Sequence, residues 1–223
     1  MMEADPLAVE ILFHIGPVPI ARQVVTTWVI MAVMVIFLRV FLRNPARDAG
    51  PVQAALEIVV MAIVSQLREV LNRDPWRYVP LLGSLFLFLA IANLSAILPG
   101  VQSPTGHIET PAALALIVFF SVHFYGFSVR GVGPYLRHYV QPTPFLLPLN
   151  LLSEITRIFS LMIRLFGNMM SHEFIIAILL LLAGLLLPIP FLLLGVLIGL
   201  IQAYIFTILA SVYIAAAVGA AEV

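Results

Sequence analysis

The sequence contains no cysteine, which excludes a disulfide framework and thiol chemistry. Charged residues are also scarce: they make up 10% of the 223 residues, whereas 62% are hydrophobic and the mean hydropathy is +1.12. This composition excludes a soluble domain and predicts an all-α, polytopic membrane protein built as one domain of several spanning helices. The formal net charge of zero argues against a nucleic-acid partner. Lysine is missing too, since all eleven basic residues are arginine, and we have no physical account of that.

Three further features are absent. The sequence has no glycine-rich phosphate loop, so the chain is not expected to bind ATP, and neither a cofactor nor a metal is expected. It has no internal repeat, although secondary transporters often carry one; a stand-alone secondary ion transporter nevertheless stays as the alternative function. The N-terminal residues lack the basic start of a cleaved signal peptide, and residues 1–22 are predicted to form an arm outside the bilayer.

The apolar stretches predict three ordinary membrane spans, at residues 24–42, 79–98 and 111–129. Residues 52–71 carry too many polar side chains for a comfortable span. An amphipathic helix lying at the membrane surface fits this segment better, with a short buried hairpin arm as the alternative.

The C-terminal part of the chain is too apolar for ordinary spans. Residues 149–187 would extend roughly 58 Å as one helix, whereas the hydrocarbon core is about 30 Å thick. Residues 191–218 repeat the conflict in milder form, and the only credible hairpin between the two lies at residues 188–190. We therefore predict two long, strongly tilted helices packed as a pair, with a kink near Gly167 in the first.

The distribution of arginine predicts the orientation in the membrane. Five arginines lie between the first two spans and two follow the third, whereas the loop at residues 101–110 has none. By the positive-inside rule, the arginine-rich loops are cytoplasmic. The N-terminus and the 101–110 loop then lie outside, and the C-terminus lies in the cytoplasm.

The stretch from residue 153 to 182 is apolar enough for a membrane yet carries ionisable side chains, which usually face a partner, a cavity or an ion path at that depth. At about 100° per residue, Glu173 lies on the side of the helix opposite Arg164. Four polar residues lie within about 80° of Arg164: Glu154, Arg157, Asn168 and His172. Such a helix suits a wall between two compartments. The alternative is that an acid within the bundle neutralises Arg164.

These residues resemble a known family, the a subunit of F-type ATP synthases. The resemblance is carried by Arg164-Leu165-Phe166-Gly167-Asn168-Met169, with Glu173 nine residues after the arginine. A second matching segment reads I-Q-A-Y-I-F-T at residues 201–207, followed by Val212-Tyr213-Ile214, and a weaker one contains Asn93-Leu94, Leu98-Pro99 and Pro104-Thr105. The matches cover most of the chain from Asn93 onward, in the family's order and spacing.

The resemblance implies a non-catalytic, ion-translocating stator subunit in the Fo sector of a rotary ATP synthase of the bacterial inner membrane. Its implied partners are the c-ring subunits, b-type peripheral stalk subunits, membrane lipid and, indirectly, the soluble catalytic F-type head. Each c subunit carries a mid-membrane carboxylate, and Arg164 occupies the family's essential arginine position. Because arginine stays charged, it would hold a passing carboxylate ionised and act as an electrostatic gate. The sequence does not decide between H⁺ and Na⁺.

Further candidate residues follow from the match. Glu173 is expected to line a water-filled half-channel, with a buried pair to His172 or another helix as the alternative. Some family members have glycine where His172 stands and histidine where Gly195 stands, so the two look like an exchanged pair. Gln202 is expected to hydrogen-bond near Arg164.

Two matched residues keep two interpretations each. Tyr213 is either part of the ion path or an interface anchor. Asn168 belongs to the motif, but its role is either in the ion path or in helix packing.

The chain departs from the family at residues 106–109, which read Gly106-His107-Ile108-Glu109 where alanine, aspartate and asparagine are usual. His107 and Glu109 form the outer mouth of the half-channel, bind a cation, or are solvated loop residues. This departure suggests a divergent, N-type branch of the family. A scaffold subunit without an ion path is disfavoured, because it has no need of Arg164 and Glu173.

Overall fold

A computed structural model of the chain describes residues 11–15, 18–42, 51–71, 74–97, 103–140, 145, 147–184 and 187–219. It contains seven helices within those ranges: α1 (Arg22–Leu42), α2 (Pro51–Leu71), α3 (Val79–Leu94), α4 (Glu109–Arg130), α5 (Val132–Val140), α6 (Leu147–Ala183) and α7 (Pro188–Val218). The predicted all-α, polytopic fold is confirmed. A short antiparallel hairpin of β1 (Ile11–Ile15) and β2 (Val18–Ala21), which the sequence analysis did not predict, precedes α1.

Five helices are long and apolar enough to cross a membrane, judged by length and composition: Arg22–Val40, Val79–Ile97, Glu109–Arg130, Leu147–Leu182 and Pro188–Val218. The three predicted short spans overlap the first three of these. Residues 1–10 of the predicted arm, residue 98 of the second span and the arginine-bearing loop at 43–50 lie outside the described residues.

The core is built around α7, which packs against α2, α3, α4 and α6. Its small residues at Ala203 and Ala210 are completely buried, so neighbouring helices approach its backbone closely. Apolar side chains from α1, α2, α3, α4, α6 and α7 form the buried core, among them Leu82, Leu85 and Leu89 of α3, Leu114 and Val118 of α4, and Phe206 and Ile214 of α7.

The helix α2 is amphipathic. It buries Leu67 and Leu71 and exposes Glu57 and Arg68. Its apolar side faces α3 and α7, and Tyr204 of α7 donates a hydrogen bond of 3.0 Å to Gln66 Oε1. The location of this helix at the membrane surface stays a prediction.

The helix α6 ends earlier than predicted, at Ala183. Gly184 follows with φ +69°, a left-handed conformation that glycine adopts without a steric penalty and that commonly terminates helices. We had expected Pro188 to form the turn between the two long helices. Instead Pro188 begins α7, a position where the N–H that proline lacks is not needed by the helix. At 37 residues, α6 is about 55 Å long at 1.5 Å per residue and runs through Gly167 without a break. Its tilt in the membrane stays a prediction.

A short helix after α4, α5, was not predicted from the sequence. Gly131 does end α4, with φ +79°. Pro134, however, lies in the first turn of α5, where proline is tolerated. Tyr135 of α5 is buried, with its ring against Gly126 of α4, so the chain folds back onto α4.

Candidate functional site

Arg164 lies in the middle of α6 with its side chain exposed. Its neighbours Leu161 and Leu165 are buried and hold this part of the helix against the bundle. Within the part of the chain that the structure describes, no carboxylate lies within ion-pair distance of the guanidinium. The interpretation in which an acid of the bundle neutralises Arg164 therefore has no support among these residues.

One helical turn beyond Arg164, a polar contact joins α6 to α7. Asn168 Nδ2 donates a 2.8 Å hydrogen bond to Gln202 Oε1. Gln202 is buried, and its Nε2 finds no hydrogen-bond partner among the described residues. Gln202 of α7 therefore meets α6 one turn beyond Arg164, with Asn168 as its partner, and its expected role near Arg164 stays a prediction. This contact joins Asn168 to α7, and both interpretations of Asn168 stay open.

His172 packs directly against Gly195 of α7. A Cβ built on Gly195 would overlap the imidazole ring of His172. Because Gly195 has no side chain, the imidazole ring of His172 has room to pack against α7. This geometry supports the interpretation of the two residues as an exchanged pair.

Glu173 faces a turn between α3 and α4 rather than His172. Its Oε1 accepts a 3.2 Å hydrogen bond from the backbone N–H of Ser103. The carboxylate lies over Gly106, where a Cβ would be 2.7 Å from each of its oxygens. The turn itself is a single 3-10 turn at Pro104–Gly106.

A cavity of about 190 Å³ opens beside the Glu173 carboxylate. Its walls come from this turn, the start of α4 and α6: Gly106, His107, Ile108, Glu109, Phe166, Met170, Glu173, Phe174 and Ala177. The structure therefore brings His107 and Glu109 to the same cavity as Glu173. Gln23 Nε2 of α1 lies 2.9 Å from His107 Nε2, which ties this loop to α1.

The alternative that His107 and Glu109 bind a cation has no support, because too few candidate ligands lie together in the part of the chain that the structure describes. Across the described ranges, no group of three or more histidine, aspartate or glutamate residues is arranged to hold a metal ion.

Tyr213 contacts a charge on α6. The guanidinium carbon of Arg157 lies 5.3 Å from the centre of the Tyr213 ring, and Arg157 Nη1 is 2.9 Å from Glu154 Oε1. An open groove of about 410 Å³ lies beside them, lined by Leu149, Leu152, Ser153, Thr156, Arg157, Ser160 and Tyr213. The sequence analysis placed Glu154 and Arg157 on the Arg164 side of the helix but did not select them as site residues, although their i, i+3 spacing was a usable signal for the ion pair.

A buried polar cluster was also missed. Asn93, Ser103 and Thr105 are buried and hydrogen-bonded to one another in series. The only signal in the sequence was the weak match at Asn93 and at Pro104-Thr105. The cluster lies directly behind the turn that contacts Glu173.

Comparison with known proteins gives one consistent result. The profile of a family described as ATP synthase A chain matches residues 24–215. The chain is 56% identical over 218 residues to "ATP synthase subunit a 2" of a Bradyrhizobium strain, covering 98% of each chain. It is 48% identical to "ATP synthase subunit a 2" of Pelobacter propionicus, over 95% of this chain and 92% of the relative. It is 45% identical to "ATP synthase subunit a 1" of Hahella chejuensis, over 96% and 91%.

Proposed function

This chain belongs to the ATP synthase A chain family and is a multi-pass membrane component of that complex, and from this premise we propose that it is the ion-conducting stator subunit of the Fo sector. In this role it couples the flow of H⁺ or Na⁺ to rotation of a ring of c subunits. It performs no bond-making chemistry itself. Family membership favours this role over a stand-alone transporter.

The observation that carries the proposal is the exposed guanidinium of Arg164, which has no acidic partner among the described residues. A permanent cation at membrane depth is costly unless a partner meets it. A carboxylate on a passing c subunit would supply that partner. Arg164 would hold it ionised, so each ring carboxylate must release its ion before it passes and can take up another only afterwards.

The outer half-channel is proposed at the cavity beside Glu173. His107 and Glu109 line its mouth and Glu173 lies at its wall, so three ionisable groups follow one another from the 101–110 loop into the bundle. His172 and the Asn168–Gln202 pair then lie on α6 and α7 between Glu173 and the face of Arg164. These residues would pass ions from the outside to the ring.

The inner half-channel is proposed at the groove beside Tyr213. Besides Tyr213, three hydroxyl-bearing residues line it, namely Ser153, Thr156 and Ser160, and it is open in the isolated chain. Arg157, held by Glu154 and the Tyr213 ring, places a second cation at this groove. The two proposed half-channels lie on either side of Arg164 along α6.

The remaining assignments concern the surroundings. We place the exposed Arg164 side of α6 against the c ring, with b-type stalk subunits and lipid on other faces and the catalytic head contacted indirectly. We place the protein in the bacterial inner membrane, with the N-terminus outside and the C-terminus in the cytoplasm.

The first prediction tests Arg164. Arg164→Ala should abolish ion-driven ATP synthesis in inverted membrane vesicles, because the ring carboxylates lose the cation that forces ion release. Arg164→Lys keeps the charge but loses the planar guanidinium, so it should rescue only in part. Arg68→Ala, which removes an exposed arginine of α2, is the matched control and should behave as wild type. Normal synthesis by the Arg164→Ala complex would refute the proposed role.

A further inference from the structure

Asn93 is buried, and both the nitrogen and the oxygen of its side-chain amide form hydrogen bonds. It is 3% exposed, and its Nδ2 donates a 2.8 Å hydrogen bond to the backbone carbonyl of Gly199 on α7. Its Oδ1 accepts a 2.8 Å hydrogen bond from Thr105 Oγ1. One side chain of α3 therefore connects α7 to the turn at residues 103–106.

This connection requires Gly199. A Cβ on Gly199 would lie 2.8 Å from Asn93 Cβ, closer than side chains pack. Because the glycine leaves the backbone of α7 bare, the amide reaches the helix carbonyl directly.

The turn is fixed by a second set of bonds. Ser103 and Thr105 are both fully buried, and Ser103 Oγ lies 3.1 Å from the Ala92 carbonyl and 2.8 Å from Thr105 Oγ1. The N–H of Gly106 donates to the Ser103 carbonyl at 3.0 Å and closes the turn. Every polar side chain in this cluster therefore has a partner inside the bundle, as buried polar groups require.

The turn presents two features to the Glu173 carboxylate. One is the N–H of Ser103, which donates to Oε1. The other is the bare Cα of Gly106, against which both carboxylate oxygens lie. The backbone of Gly106 does not have positive φ, so other residues tolerate its conformation. What glycine provides here is space for the carboxylate.

We infer that Asn93 and Thr105 are positioning residues for Glu173, acting through the turn whose N–H and bare Cα hold the carboxylate at the cavity wall. The inference rests on the proposed function, in which Glu173 conducts ions. Apolar side chains of the same shape in place of Asn93, Ser103 and Thr105 would give the bundle a similar stability. The reason is that a satisfied buried hydrogen-bond network adds little net free energy compared with apolar packing of the same shape. What the polar network supplies is one defined conformation of the turn.

The first test removes one link of the network. Thr105→Val keeps the volume but deletes the hydroxyl that bonds Asn93, whereas Thr105→Ser restores it. We expect ATP-driven ion pumping in vesicles to fall about tenfold in the valine variant, which corresponds to about 1.4 kcal/mol. Pumping should recover in the serine variant. Thr207→Val is the matched control, since Thr207 is a buried threonine whose hydroxyl bonds only the Ala203 carbonyl of its own helix.

A positioning role also predicts a change that a purely structural role would not give. The pH at which pumping is half-maximal should move in Thr105→Val, because the carboxylate loses its fixed N–H donor, and it should stay unchanged in Thr207→Val. The ionisable residues His107 and Glu109 line the same cavity, so both are kept in every variant.

The second test displaces the carboxylate without touching the network. Gly106→Ala places a methyl group 2.7 Å from both oxygens, and the flexible end of Glu173 can move away at little cost to folding. Pumping should fall with assembly intact. Adding Glu173→Asp, which is one methylene shorter, should restore part of it, because the shorter side chain withdraws from the methyl group.

The outcomes separate the two proposals. If Glu173→Gln pumps normally, the proposed role of Glu173 fails. If Glu173→Gln is impaired but Thr105→Val and Gly106→Ala pump with the wild-type rate and pH profile, the positioning inference is overturned while the proposed function stands. If Thr105→Val does not assemble, the Gly106→Ala result and its response to Glu173→Asp decide alone.

Discussion

At the scale of single residues, the two arginines of α6 differ in how far neighbouring side chains compensate their charge. Arg157 is held by Glu154 and stacked on the Tyr213 ring, so its charge is partly compensated inside the chain. Arg164 lies two turns further on, exposed and without an acid among the described residues. The same residue type on one helix therefore serves two purposes. In the proposed function, Arg164 is the arginine of α6 that offers its charge to a group from outside the chain.

His172 and Gly195 give the sharpest prediction at this scale, because one ring occupies the space that the other position leaves empty. His172→Gly should lower ion pumping several-fold. Gly195→His alone should be worse, since two imidazoles would compete for one space. The double exchange should recover part of the rate by placing a single imidazole there again.

The measurement is pumping in vesicles, with the amount of assembled complex determined in parallel. Gly133→Ala is the control, since a Cβ at this exposed glycine meets no atom within 4 Å. The exchange interpretation fails if the double variant is no better than His172→Gly alone.

At the scale of elements, hydropathy was sufficient to predict the long helices, because a membrane-spanning helix consists of one continuous run of apolar residues. The ends of these helices were harder to predict from the sequence. Gly184 ends α6 through its backbone conformation, and Pro188 reads as a turn although it begins α7. In both cases the deciding property is a dihedral angle, which hydropathy does not report.

The candidate site shows the same division. Arg164 and Glu173 could be selected from the sequence, because charges within apolar sequence stand out. The partner of Glu173 could not, because Ser103 is 70 positions away and contributes a backbone N–H. Asn93 and Gly199 are separated by 106 positions and belong to different helices. Contacts of this kind depend on how helices pack, and a single sequence does not record that packing.

The C-terminal end of α7 allows a prediction about stability. Gly219 follows the helix with φ +77°, and a Cβ there would overlap the guanidinium of Arg130 at the end of α4. Gly219→Ala should therefore destabilise the protein by more than about 1 kcal/mol, because the left-handed backbone conformation opposes any residue with a Cβ, whereas the flexible end of Arg130 can move away. Thermal unfolding in detergent measures this. Gly133→Ala, with open space and ordinary φ, should be neutral or slightly stabilising, and equal losses in both variants would contradict the explanation.

At the scale of the whole molecule, the proposed mechanism depends on which side of the membrane each cavity faces. The cavity beside Glu173 adjoins the loop that precedes α4, and the groove beside Tyr213 adjoins the start of α6 and the end of α7. The helix α6 connects the two, with Arg164 between them. If the arginine-rich loops are cytoplasmic, the first cavity opens outside and the second opens inside, as two half-channels require.

This orientation is testable because the chain has no cysteine, so each introduced thiol is the only one. Gly106 is an unsuitable position, since it is buried against Glu173. Ile108 and Arg137 are exposed at the two ends of the α4–α5 segment. A membrane-impermeant maleimide should label Ile108→Cys only from outside in intact cells and Arg137→Cys only in inverted vesicles. Labelling of both from one side would place both cavities on the same face of the membrane, and the two-half-channel mechanism would then fail for this chain.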